Sequence, residues 1–215
     1  MVIPLQAKLK RETHRKTAYA QDIIVRAVYA RIGTAVLHGG TAIWRCYQGK
    51  RFSEDLDFYF PSGRKAIDEI FNDLKQAGFE IRKKKISERS VYSELELNRT
   101  VVRLEATFQN KKGIICDFEL SDGNYIPIYS LSEEEFLREK ALTYLKRRKV
   151  RDLWDVFFLV GRIGKTDSEE VGQLIAHFEP PTDEKDLKTI LLEGIIPSAS
   201  QMLEYIKRKW AGKST

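Results

Sequence analysis

Apolar side chains recur at helical spacing from Thr17 to Arg31, where Tyr19, Ile23, Ile24, Ala27 and Val28 mark one face, and they predict an amphipathic helix. A short apolar run, Ala35 to Leu37, stops at Gly39-Gly40, and a second helix reads from Thr41 to Tyr47. The period then changes from helical to alternating. Asp55-Leu56-Asp57-Phe58-Tyr59-Phe60 alternates polar and apolar residues and meets Pro61, a strand with an end signal. Arg64 to Ala77 reads as a helix closed by Gly78. Strands are predicted over Phe79 to Ile86, over Val91 to Phe108 as one strand or two, and over Gly113 to Leu120. Lys111-Lys112-Gly113 reads as a hairpin-like break and Ser121-Asp122-Gly123-Asn124 as a turn.

After Ser132 the pattern becomes helical throughout. Ser132 with Glu135 three residues on is a capping box. Helices are predicted over Glu133 to Lys149, Arg151 to Gly161, Asp167 to Phe178, Glu184 to Glu193 and Ser198 to Trp210, punctuated by Pro180-Pro181 and Pro197. The layout is therefore α+β. A mixed sheet with flanking helices fills an N-terminal domain, residues 1–130, and a helical region follows, residues 131–215.

Composition narrows the class. The chain is 42% hydrophobic and 32% charged, the balance of a globular protein. No apolar run has the length of a membrane helix, and the amino-terminal stretch turns basic before any apolar segment, so neither a membrane span nor a secretory signal is expected. The expected location is the cytoplasm. Cys46 and Cys116 are too few for a disulfide scaffold and lack zinc spacing; they read as small buried residues. The net charge is +6 and the pI about 9.2. Basic clusters at Lys8 to Lys16, Arg82 to Lys85, Lys146 to Arg151 and Lys207 to Lys209 suit either a polyanionic partner or solvated faces.

The chemistry lies in Leu37-His38-Gly39-Gly40-Thr41-Ala42-Ile43 and in Arg51-Phe52-Ser53-Glu54-Asp55-Leu56-Asp57-Phe58. Two glycines at a strand-to-helix turn let an anion approach the backbone, where a helix N-terminus offers N–H groups. Gly39, Gly40 and Thr41 thus form a candidate phosphate seat, with Arg51 and Ser53 as further candidate nucleotide contacts. Asp55 and Asp57 stand two apart on a strand, so their side chains leave one face. Two carboxylates so close repel unless a cation lies between them, and oxygen-only ligands suit Mg²⁺ or Mn²⁺. His38 reads as a turn histidine. Trp154, Phe157 and Phe158 read as core. The chain carries no P-loop, no nucleophile elbow and no zincin motif.

This ordered pair of blocks resembles the nucleotidyltransferase superfamily with a polymerase-β-like fold, and more closely the AbiEii/AbiGii toxin family. A second block, from Tyr129-Ser130-Leu131 through Glu139-Lys140-Ala141-Leu142 to Arg151-Asp152-Leu153-Trp154-Asp155, is similar to that family too; the resemblance covers roughly residues 20–160. It implies a metal-dependent enzyme that moves an NMP from an NTP to an acceptor hydroxyl. It also implies a toxin of a toxin–antitoxin or phage-defence system, an RNA such as tRNA as acceptor, and a cognate antitoxin as partner. It implies functional roles for Lys140 and Asp152, and a third metal-binding carboxylate on a strand beside Asp55-Leu56-Asp57. Asp117, a charge in the apolar run Ile114 to Glu119, is the favoured candidate, with Glu105 as its competitor. Two rival readings remain: a small-molecule or protein acceptor for the same chemistry, and an inactive binding module that keeps the fold.

Overall fold

The computed structural model describes residues 4–61 and 64–210. The first three residues of the basic amino-terminal stretch and the last five of the helical region lie outside the described residues. The chain divides into two compact units. One runs through Gln48 and resumes from Phe52 to Leu131; the other holds Gly49–Arg51 and the chain from Ser132 onward.

The first unit opens with a short helix α1 (Leu5–Lys8) and a long one, α2 (Glu12–Arg31). Strand β1 (Val36–His38) runs directly into α3 (Gly39–Cys46), followed by β2 (Leu56–Phe60), α4 (Arg64–Gln76), β3 (Glu80–Ile86), β4 (Ser90–Leu97), β5 (Thr100–Phe108), β6 (Ile114–Glu119) and β7 (Tyr125–Ser130). The seven strands form one mixed sheet in the order β3-β4-β5-β2-β1-β7-β6. β2 pairs parallel with β5 and antiparallel with β1, which pairs parallel with β7.

Alternation decides which face is core. Leu56, Phe58 and Phe60 are buried, as are Val102, Leu104 and Ala106 on β5 and Val91 and Leu95 on β4. Because each strand has a side-chain period of two, the same strands turn polar residues to the opposite face: Asp57 and Tyr59 from β2, Arg103 and Glu105 from β5, Tyr92 and Glu94 from β4. α2 packs on β5 and against α4, burying Ile24, Val25 and Val28 together with Ile67, Ile70, Phe71 and Leu74. On α3, the fully buried Arg45 is paired with Asp22 of α2 and donates to the Glu119 carbonyl at 2.6 Å.

The structure decides three stretches. The stretch Val91 to Phe108 is two strands joined at Asn98-Arg99, both with positive φ (49° and 64°), a two-residue hairpin whose ends pair Leu97 with Thr100. Lys111-Lys112-Gly113 is no hairpin: β5 pairs with β2 and β4 while β6 pairs with β7, so this segment carries the chain across the sheet. Tyr125–Ser130, which alternation and Pro127 did not mark as a strand, is β7. Its ladder to β1 spans only Tyr129 and Ser130, so the missing N–H of Pro127 breaks no bond there.

The second unit consists of α5 (Glu133–Arg147), α6 (Val150–Ile163), α7 (Glu169–Ala176), a 3-10 turn (Glu184–Asp186), α8 (Leu187–Ile190) and α9 (Ala199–Lys209). The Ser132–Glu135 capping box forms as the sequence predicts. α6 packs against α5 and α9, burying Leu153, Trp154, Val156, Leu159 and Val160.

A buried polar cluster ties this unit together. The Arg51 guanidinium holds the Asp155 carboxylate with two 2.6 Å bonds. Lys140 of α5 reaches Asp155 at 2.8 Å and Asp152 at 3.5 Å. Arg147 donates to Asp152 at 2.7 and 2.9 Å. Burial works against the charge of Asp155, but Arg51 and Lys140 outweigh it and hold its carboxyl below the ordinary 3.8. A carboxyl whose folded pKa lies below its unfolded one stabilises the fold above the unfolded value, and that contribution is lost as the pH falls through the folded value. Removing one member leaves buried cations without a counter-charge, which costs about 3–5 kcal/mol. Asp155→Ala is therefore expected to lose about that much stability at pH 7 by denaturant unfolding, with the gap to wild type closing below roughly pH 4. A variant as stable as wild type at pH 7 overturns the role given to this cluster.

Candidate active site

The polar face of the sheet gathers the acidic residues through strand register. Leu56 lies opposite Leu104 and Asp57 opposite Glu105 on the parallel pair β2/β5, and His38 lies opposite Asp57 across β1. Hydrogen-bonded backbones thus place Asp57 and Glu105 side by side on adjacent strands, about 4.8 Å apart in the pairing direction. Burial pushes the Glu105 carboxyl up, and the charges of Asp57 and Asp55 push it further; Arg103 works the other way. That upward pressure is the electrostatic mark of carboxylates crowded on one face.

Asp55 lies just ahead of β2. Its carboxylate is gripped by Arg103 of β5, with Nε at 2.8 Å from Oδ1 and Nη2 at 2.5 Å from Oδ2. Its carbonyl accepts a 2.5 Å hydrogen bond from the Thr41 hydroxyl. Thr41 is completely buried, so its hydroxyl fixes the position of Asp55 instead of facing a nucleotide.

Gly39 begins α3 with φ +75°, and a Cβ built on it would stand 2.2 Å from Asp57 Oδ2. Glycine is required here twice over, by the left-handed backbone and by the approach of the carboxylate. The turn therefore seats the Asp57 carboxylate as well as opening α3, whose first N–H groups lack intrahelical partners. The His38 ring stacks on Tyr59, centroids 4.0 Å apart and planes 6° from parallel.

Several expected site residues stand elsewhere. Asp117 is on β6, an edge strand that among the described residues pairs with β7 alone. Three inter-strand steps, roughly 14 Å, separate β6 from β2, far beyond the ~2.1 Å bonds of a shared Mg²⁺. Glu105, the competitor, occupies the position beside Asp57. Arg51 is neither a surface charge nor open to a phosphate: it is 5% exposed and committed to Asp155. Lys140 and Asp152 are also buried, within the ion cluster of the second unit. Ser53 precedes β2, so it does not share that strand's face; its carbonyl accepts from Gln21 at 3.0 Å.

The basic cluster on β3 is largely neutralised in place. Arg82 pairs with Glu96, Lys83 with Glu94 and Lys84 with Asp68. The alternation of Val102-Arg103-Leu104-Glu105-Ala106, with every apolar residue buried, was the signal in the sequence for Arg103 and Glu105 on one face.

Three oxygen donors, Asp55, Asp57 and Glu105, fit a hard divalent cation in their chemistry. In the observed conformation, no three His, Cys, Asp or Glu side chains among the described residues are gathered as a ready metal cage; Asp55 is held by Arg103. No helix among the described residues is long and apolar enough to cross a membrane.

A family model described as the nucleotidyl transferase AbiEii toxin of type IV toxin–antitoxin systems matches residues 30–200. Among curated proteins, no sequence matches the chain. Solved structures with a similar fold include MenT4, a nucleotidyltransferase toxin from Mycobacterium tuberculosis, with a TM-score of 0.60 at 17% identity over 93% of this chain and 83% of that one. JHP933 from Helicobacter pylori has a TM-score of 0.59 at 18% identity over 88% and 89%. These likenesses show the fold. The family match runs from the end of α2 to the start of α9, and by it the chain belongs to the AbiEii nucleotidyltransferase toxin family.

Proposed function

We propose that this nucleotidyltransferase is metal-dependent and that its metal ligands are Asp55, Asp57 and Glu105. The observation that carries the reading is the register of β2 on β5, which sets Glu105 beside Asp57 on the polar face. A divalent cation, Mg²⁺ or Mn²⁺, bound there would neutralise phosphate charge and lower the pKa of an acceptor hydroxyl. The residues divide the remaining work. Gly39 and Gly40 open the N-terminus of α3 to the triphosphate, where free N–H groups and the helix dipole favour negative charge. Thr41 holds the backbone of Asp55. Of the three carboxylates, Glu105 is the one we assign to take the acceptor's proton. The acceptor oxygen then attacks the α-phosphate in line, forming the new P–O bond as the bond to pyrophosphate breaks. Arg51, Lys140 and Asp152 act as positioning residues within the second unit.

The acceptor we propose is RNA, such as tRNA, in the cytoplasm, with a cognate antitoxin restraining the enzyme. A net charge of +6 supports a polyanionic acceptor. One observation favours the second reading, a small-molecule or protein acceptor: the β3 basic residues are already paired with acids. Incubating the protein with each α-labelled NTP, Mg²⁺, total RNA and cell extract distinguishes the two. Label is expected on RNA; label on protein or on a small metabolite with none on RNA overturns the RNA reading.

Two variant series test the site. Asp55→Asn, Asp57→Asn and Glu105→Gln are each expected to lower turnover at least ~100-fold, the scale of losing a metal-ligand carboxylate or a base, whereas Asp117→Asn stays near wild type. A large loss at Asp117 with little at Glu105 reverses the assignment. Gly39→Ala drives a methyl into Asp57 Oδ2 and is expected to lose activity on the same scale while costing only about 1–2 kcal/mol of stability for the left-handed backbone. Wild-type kinetics in a folded Gly39→Ala protein rules out the carboxylate seat.

A further inference from the structure

Arg103 is the feature of the polar face that the proposed chemistry leaves unused. Its guanidinium meets Asp55 in the two-bond geometry in which arginine binds a carboxylate best. Arg103 donates two hydrogen bonds to the group that the metal-site reading makes a ligand, so it occupies one lone-pair direction on each Asp55 oxygen and places a positive charge where the metal would bind. Its side chain is 45% exposed and that of Asp55 22%. The pair is therefore held without being locked in the core, and such partly exposed pairs are worth little enough to be exchanged. An arginine guanidinium is not deprotonated in proteins, so loss of a proton cannot release the carboxylate. Only another cation can take its place.

Position supports the same view. Arg103 and Glu105 are two apart on β5, so they share its polar face. Arg103 lies opposite Glu94 in the β4/β5 register, and the Tyr92 hydroxyl donates to Glu94 at 2.6 Å. A second carboxylate thus lies across the strand to receive the guanidinium once Asp55 lets it go.

We propose that Arg103 is an internal counter-ion that competes with the divalent metal for Asp55: it holds the carboxylate while the metal is absent, yields it when the metal binds, and so sets the metal affinity of the site. The inference rests on the metal-site reading above. It makes Arg103 a positioning residue that weakens metal binding, the opposite of what loss of a merely structural residue would show. Removing it leaves Asp55 facing outward and unpaired, and it also removes a positive charge that repels the incoming cation.

The test is calorimetric titration of Mn²⁺ into the nucleotide-free protein, for wild type, Arg103→Gln, Arg103→Lys and Asp57→Asn, with circular dichroism to confirm folding. Arg103→Gln is expected to bind Mn²⁺ more tightly than wild type by up to about fivefold, the factor set by an ion pair of this exposure. Arg103→Lys, which keeps the charge but loses the fork, falls between them. The thermal midpoint of Arg103→Gln should also rise more on adding Mn²⁺ than that of wild type. Equal or weaker binding by a folded Arg103→Gln protein, with binding lost in Asp57→Asn, overturns this proposal and leaves the metal site standing. Absence of Mn²⁺ binding in every variant and in wild type overturns both.

Discussion

The register of β2 against β5 is the constraint on which the rest of the site depends. Backbone hydrogen bonds, not side-chain attraction, bring the Asp57 and Glu105 carboxylates together. The sheet is stabilised by its other face, where Leu56, Phe58, Leu104 and Ala106 are buried. A slip of one residue would turn those apolar side chains outward and the acids inward, so hydrophobic burial enforces the crowding of charge. The repulsion is then absorbed locally by Arg103 on Asp55 and by the glycine turn under Asp57.

The second unit solves the opposite problem. Its carboxylates, Asp152 and Asp155, are fully enclosed and have three cations around them, Arg51, Lys140 and Arg147. There the ionised residues serve as a lattice between α5, α6 and the segment Gly49–Arg51. One chain thus uses acids in two ways: on an open face, where their charge is available to ligands, and in the interior, where it is consumed.

Much of this was legible in the sequence for physical reasons. The change from 3.6-residue to two-residue period located α2, β2 and the helical second half, and the glycine pair that opens α3 located the turn beneath Asp57. What stayed hidden was long-range pairing. Asp117 and Glu105 both lie in alternating or apolar strand runs, and nothing local says which strand borders β2; only the order of the sheet does. The Asn98-Arg99 turn was missed because arginine at positive φ carries no glycine signal. Arg51 was misread because the acid that binds it lies 104 residues away.

The cross-strand ion pairs of β3 have a consequence beyond the site. β3 is an outer strand, and its unpaired backbone edge is the kind of surface on which another chain can add a strand. Arg82, Lys83 and Lys84 are fastened to Glu96, Glu94 and Asp68. An added strand would have to run alongside this row of charged groups, with no apolar face to reward it. The feature that weakens β3 as a docking site for RNA thereby guards this end of the sheet against pairing with a strand of another chain.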